Sequence, residues 1–262
     1  MIRIGPQNRI FTIPGIGLHI ITPGGAAWSP TDIAGCQLWL KADAGTYQDA
    51  AMTTPASIDT DPVGGWQDQS GSGNHVTQTT AGNKPALKLN IKNGLPVTRF
   101  DGGDYLIRAI AASTSLISVF AVTQTAAAAG TVYQQRLEGN ATPIKGALFI
   151  ETNLWRARHR NDATAIKTLT GANSGLWNAW GIVWNNINMY LYQNGVLGAS
   201  DAIAGVTTID KMIVGADNNT GAGTFGTYLT GDIAEIVVYN SALSDANRIL
   251  VETYLNSRYA IW

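Results

Sequence analysis

Three segments near the front of the chain set the pattern from which the fold is read: LWLKADAGT (Leu38–Thr46), GWQDQSGSGNH (Gly65–His75) and NKPALKLNIKNGLPVTRFDGGDYL (Asn83–Leu106). Short apolar runs alternate there with Gly, Asn, Asp and Ser turns, the rhythm of strands joined by tight connections. Gln37–Lys41 reads as a short strand, with Leu38 and Leu40 on the face opposite Trp39, because successive strand side chains point to opposite sides. Ala44–Pro62 reads as a polar loop. Pro96–Asp101 and Tyr105–Ile107 read as strands on either side of an Asp101–Asp104 turn.

The same rhythm continues to the end of the chain. Leu116–Gln124 (LISVFAVTQ) has the β-branched and aromatic content of a central strand. Ala126–Gly130 is too short to nucleate a helix and reads as a turn. Leu148–His159, Ala179–Trp184 and Asn188–Gln193 are further strands. The last of them runs into Asn194-Gly195, a pair that tolerates the positive φ angles of a type I′ hairpin. Lys211–Gly215 and Asp232–Tyr239 complete the strands. One helix is predicted after them, with Ser244 as N-cap and Ile249, Leu250, Tyr254 and Leu255 as its apolar stripe.

With LYQNGV (Leu191–Val196) and GDIAEIVVYNSALSDANRILVETYL (Gly231–Leu255), the opening segments make a series whose order and spacing resemble a family. They are similar to the laminin-G/concanavalin A-like jelly-roll domains of bacterial surface proteins and bacteriophage structural proteins, over about residues 36–262. The resemblance implies an all-β fold, a two-sheet antiparallel jelly-roll sandwich with a short C-terminal helix. It also implies lectin-like recognition carried by rim loops, and it makes Trp39, Trp66, Trp180 and Trp184 core residues. Residues 31–262 are expected to form this one domain.

Residues 1–30 read differently, as an extended N-terminal arm. Ile2, Ile4, Ile10, Phe11, Ile13, Ile16, Leu18, Ile20 and Ile21 are apolar, yet Pro6, Pro14, Pro23 and several glycines break helix and strand periodicity alike. The same breaks argue against a signal peptide, whose apolar region runs uninterrupted for ~7–15 residues. Such an arm packs either on its own domain as an edge strand or on another subunit.

Composition narrows the partners. Charged residues make up 13% of the chain, against roughly 25% in average proteins, so part of the surface is uncharged polar or covered. A net charge of −1 offers no general attraction to nucleic acid, and no apolar run approaches the ~20 residues of a membrane helix. The one cysteine, Cys36, cannot form an intrachain disulfide, which fits synthesis in a bacterial cytoplasm better than a disulfide-built secreted module.

No catalytic signature competes with the binding reading. The three histidines, His19, His75 and His159, are scattered, without a Gly-x-Ser-x-Gly elbow or metal-ligand spacing. A glycan hydrolase would need two carboxylates about 5–10 Å apart, and in a regular strand the offset of Asp232 and Glu235 puts them on opposite faces. No cofactor is expected beyond calcium, an oxygen-liganded ion that the flexible turn Asp101-Gly-Gly-Asp104, joined by Asp68, would suit. The alternative is that these residues cap turns through side chain–backbone bonds.

Three candidate ligand sites follow. In Trp155-Arg-Ala-Arg-His-Arg160, strand alternation gathers Arg156, Arg158 and Arg160 on one face, where they can grip a carboxylated or sulfated sugar or an acidic partner; the alternative is a solvated face that discourages edge pairing. The polar loop from Asp217 to Phe225, with Asn218 and Asn219, carries amides suited to sugar hydroxyls beside an aromatic ring, or else is simply a hairpin turn. Trp177 and Trp28 lie beside loop signals, where an aromatic face could meet a pyranose.

The combined expectation is a non-enzymatic virion surface protein, a decoration, fibre or tail component synthesised in the host bacterial cytoplasm. It would dock on other virion subunits, or on copies of itself as a homo-oligomer, through residues 1–30 and hold cell-surface glycans by its lectin-like domain. A small chain without a signal peptide, a single cysteine and an apolar arm favour this setting. The alternative is a stand-alone carbohydrate-binding module at a bacterial cell surface.

Overall fold

A computed structural model describes residues 28–137, 144–161, 166–172, 175–218 and 224–262. In chain order the strands are β1 (Cys36–Lys41), β2 (Thr46–Tyr47), β3 (Gly65–Trp66), β4 (Val76–Thr77), β5 (Ala86–Lys92) and β6 (Leu95–Asp101). Next come β7 (Leu106–Ser113), β8 (Ile117–Gln124), β9 (Gly130–Arg136), β10 (Ile144–Glu151), β11 (Leu154–Arg160) and β12 (Ile166–Ala172). The series ends with β13 (Asn178–Trp184), β14 (Asn188–Gln193), β15 (Val196–Ala202), β16 (Ile209–Val214) and β17 (Thr230–Tyr239), followed by helix α1 (Asp245–Tyr259).

These strands form two antiparallel sheets stacked as a sandwich. One has the order β15-β14-β13-β8-β17-β6-β5, with β1 lying beside the second half of β17. The other runs β12-β11-β10-β9-β16-β7-β4-β3-β2. The space between them is filled by Leu38, Leu40, Trp66, Phe100, Trp155, Trp180, Ile182, Trp184, Ile236 and Val238, all essentially inaccessible. Leu38 and Leu40 point inward and Trp39 outward, as alternation requires.

A second core lies on the outer side of the first sheet. Phe120, Val122, Val237 and Tyr239 meet Val251, Leu255 and Tyr259 of α1 there. Ser244 caps the helix by accepting the Asn247 N–H at 3.3 Å. The buried stripe differs from the predicted one: it is Arg248, Val251, Glu252, Leu255 and Tyr259, with Leu250 and Tyr254 at its edge and Ile249 outside it. Arg248 and Glu252 can lie on this side because they pair with each other, and the Arg248 guanidinium rests 4.0 Å from the Tyr192 ring centre.

The predicted single strand Leu148–His159 is a hairpin, β10 and β11. Its two-residue turn uses Thr152 and Asn153 at φ of 53° and 61°, the same geometry that Asn194-Gly195 supplies between β14 and β15. The loop read over Ala44–Pro62 contains β2, which pairs with β3. Of the arm, residues 1–27 lie outside the described residues. Trp28 is not free at the surface: it packs half-buried against Tyr254 of α1, ring centres 5.6 Å apart, and Tyr239 donates its hydroxyl to Pro30 O at 2.9 Å.

Candidate functional site

The two outer faces are unequal. Helix α1 covers one, whereas no helix packs on the β9–β10–β11 side among the described residues. Trp155 and Ala157 of β11 belong to the inner core, and His159 stacks on Trp184 with ring centres 3.9 Å apart. Arg156, Arg158 and Arg160 therefore share the outer face, as the spacing predicts.

Cross-strand register supplies their neighbours. Ala147 and Phe149 of β10 stand opposite Arg158 and Arg156. The Arg158 guanidinium lies 4.4 Å from the Phe149 ring centre, and its Nε donates to Thr168 Oγ1 at 3.2 Å. Glu151, at the end of β10, forms an ion pair with Arg156, its carboxylate 3.2 Å from Nε, and stands 3.7 Å from Arg158.

From the other side comes the loop after β16. Gly215 turns at φ 87°, where any side chain would run into the Phe100 ring. Asp217 then exchanges backbone hydrogen bonds with Gly226 at 2.8 and 2.7 Å, closing the loop base. Its carboxylate accepts Gln134 Nε2 at 2.8 Å and pairs with Arg136. Arg158 and Asp217, from two separately read motifs, thus face one cleft of about 240 Å³, with Gln134, Phe149, Glu151 and Thr227 on its walls.

The remaining ligand candidates fall around or away from this cleft. Asn218 follows Asp217 into a buried position, where its Oδ1 has no hydrogen-bond partner. Phe225 stacks on Tyr105, ring centres 4.0 Å apart, and so braces the loop against the β6–β7 connection. Arg156 and Arg160 share the outer face without lining the cleft. Trp177 is not brought here: it packs half-buried with the core beneath α1. Asn219 lies outside the described residues.

The carboxylates read as calcium ligands are engaged as acceptors in their own turns. Asp68 receives Trp39 N, Ser70 N, Ser70 Oγ and Asn74 N, all within 3.0 Å. Asp104 receives Asp101 N at 2.9 Å, and Asp101 receives Gly103 N at 3.0 Å. Burial pushes the Asp104 carboxyl up to about 6, against the pull of the Asp101 N–H. No three His, Cys, Asp or Glu side chains gather as a metal-ion set among the described residues, so Asp68 does not join the other two.

The strand holding Asp232 and Glu235 corrects an expectation. Ile233 and Ile236 both point into the inner core, and the register slips between Ile233 and Glu235. This bulge carries Asp232 and Glu235 to the same outer face, where a regular strand would separate them. Each is committed there. Asp232 is gripped by Arg99 at 2.7 and 2.8 Å. Glu235 is wholly buried and accepts Trp39 Nε1 at 2.6 Å and Tyr259 Oη at 2.8 Å, with Arg258 at 3.3 Å. Burial raises its carboxyl, and these donors pull it back down.

Residues 111–247 match the family model described as the concanavalin A-like lectin/glucanases superfamily. The chain belongs to this superfamily. No curated protein matches it in sequence. Among solved structures it is similar to the botulinum neurotoxin serotype D binding domain, at TM-score 0.57 and 15% identity over 84% of this chain and 51% of that one. It is also similar to the botulinum neurotoxin DC binding domain solved in complex with SialylT, at TM-score 0.58 and 13% identity over 87% and 52%. The receptor-binding domain of botulinum neurotoxin D gives 0.58 and 16% over 87% and 54%. This concanavalin A-like chain spans about half the length of each, and at these identities the likeness shows the fold.

Proposed function

We propose that this superfamily member is a non-enzymatic glycan-recognition domain, displayed on a virion as a decoration, fibre or tail component, with the open-face cleft as its sugar site. The observation that carries the reading is the meeting of Arg158, Asp217, Gln134 and Thr227 in one cleft on the sheet that none of the described residues covers with a helix. Guanidinium and amide groups on strands β11 and β9, with the carboxylate and hydroxyl of the β16–β17 loop, are the donors and acceptors that polyhydroxylated ligands require. Similarity to binding domains, one of them solved in complex with SialylT, supports the same class of role. The binding reading is preferred to hydrolysis because Asp232 and Glu235 are each held by their own donors. The virion setting rests on the sequence: an apolar, Pro- and Gly-broken segment over residues 1–30 suits docking on other subunits.

A glycan array probed with the full chain tests this. Reproducible binding to at least one glycan class is expected, with the bound glycan recovered uncleaved and the signal lost in an Arg158→Gln, Asp217→Asn double variant. A blank array from folded protein would remove the sugar reading. Deleting residues 1–27 should change self-association by light scattering; an unchanged mass and unchanged particle docking would remove the assembly role.

A further inference from the structure

The charges on the open face narrow the class of saccharide. Arg158 lines the cleft with the carboxylates of Glu151 and Asp217, and Arg156 and Arg136, just behind the lining, pair with those two acids, three guanidiniums to two carboxylates among the described residues. The chain as a whole carries 17 basic and 18 acidic residues, so this local excess of cations is a matter of placement.

The two acids are held very differently. Asp217 is fixed at a loop base by backbone bonds and engaged by Arg136 and Gln134. Glu151 stands beside a two-residue turn with its side chain 48% exposed. It holds Arg156 at 3.2 Å and approaches Arg158 only to 3.7 Å. Arg158 is meanwhile positioned by other groups, Phe149 beneath its plane and Thr168 on its Nε. Its orientation therefore does not depend on Glu151. A preset guanidinium faced by a weakly held acid is an anion site occupied by a removable internal carboxylate.

We infer, on the footing of the sugar reading above, that the cleft selects saccharides bearing a carboxylate, which displaces Glu151 from Arg158 and Arg156. The exchange replaces one carboxylate by another, so the charge of the cleft is conserved. A planar carboxylate matches the fork of a guanidinium, which favours it over a sulfate ester. The hydroxyls of the same sugar meet the remaining lone pairs of Asp217 and the Thr227 hydroxyl.

Calorimetry on the full chain tests the inference with four probes: 3′-sialyllactose, a hyaluronan tetrasaccharide, lactose and lactose 3′-sulfate. At least one carboxylated probe should bind about tenfold or more tightly than lactose or its sulfate. Glu151→Gln should tighten that binding several-fold by removing the internal competitor. Arg158→Gln should weaken it about tenfold, and Arg158→Lys should not restore it, with thermal midpoints unchanged in all three variants. Lactose or its sulfate binding as tightly as the carboxylated probes, or weaker binding by the Glu151→Gln variant, would overturn the carboxylate inference and leave the sugar reading standing. No binding to any probe, together with a blank array, would overturn both.

Discussion

Two glutamates, one on each outer face of the sandwich, are both paired with arginine and yet do opposite work. Glu235 lies under α1 with no exposure, and it ties Trp39 of β1 and Tyr259 and Arg258 of α1 to β17. Glu151 lies on the face without a helix among the described residues, its side chain 48% exposed, beside Arg156 and Arg158. The chemical pairing is the same; the covering layer decides its meaning. Buried charge that loses its partner cannot turn to solvent, so the first pair is a lock between helix and sheet. Exposed charge exchanges partners at little cost, so the second is available to a ligand.

Glu235→Ala should break the locked side. It strands the Trp39 indole N–H, leaves the Tyr259 hydroxyl only its longer bond to Ala234 O at 3.4 Å, and leaves Asp43 as the carboxylate beside Arg258. We expect a loss of about 3–5 kcal/mol in urea unfolding; a loss below about 1 kcal/mol would mean that α1 is held by its apolar stripe alone. An interior group sharpens the contrast through pH. His159 is buried against Trp184, its Nε2 sharing a hydrogen bond with Thr207 at 2.8 Å. Burial, with Lys145 nearby, pushes its pKa down to about 3 from the usual 6.5. A group held neutral in the fold but protonated in the unfolded chain contributes in full above 6.5 and loses that contribution as pH falls toward 3. About 2–3 kcal/mol should therefore be gone by about pH 4.5. Between pH 7 and 4.5, the stability difference between the parent and a His159→Gln variant should shrink accordingly; a constant difference would mean the histidine is not kept neutral. The smallest effect belongs to the open side: Glu151→Gln should move stability by less than about 0.5 kcal/mol. A larger loss in thermal unfolding would make Glu151 as structural as Glu235 and erase the comparison.

Local chemistry made some of this legible in advance. Asn194 and Gly195 take φ of 52° and 78°, as a type I′ pair should, because both residue types tolerate that region. Ser244 caps α1, and Trp180, Ile182 and Trp184 share the inner face. Thr152 and Asn153 make the same kind of turn but carry no glycine to announce it, so β10 and β11 read as one strand. The bulge beside Ala234 was also silent, since nothing in the order Asp-Ile-Ala-Glu marks an extra residue. On the helix, Arg248 and Glu252 replaced the expected Ile249 because paired charges can be buried where single ones cannot. Within the cleft, the arginine ladder and Asp217 were each visible, whereas Phe149, Glu151 and Gln134 were not, having no distinguishing neighbours in the chain.

The order of residues thus dictates strands, turns, the inward side of each strand and the presence of one C-terminal helix, because those depend on contacts between near neighbours. It leaves open which strands lie side by side. Closing a longer loop costs only slightly more than closing a shorter one, so Arg136 reaches Asp217 across 81 positions without any local sign of the pairing. Sheet register and the layer laid over each face settle that meeting, and with it which acids stay locked and which can give way to a ligand.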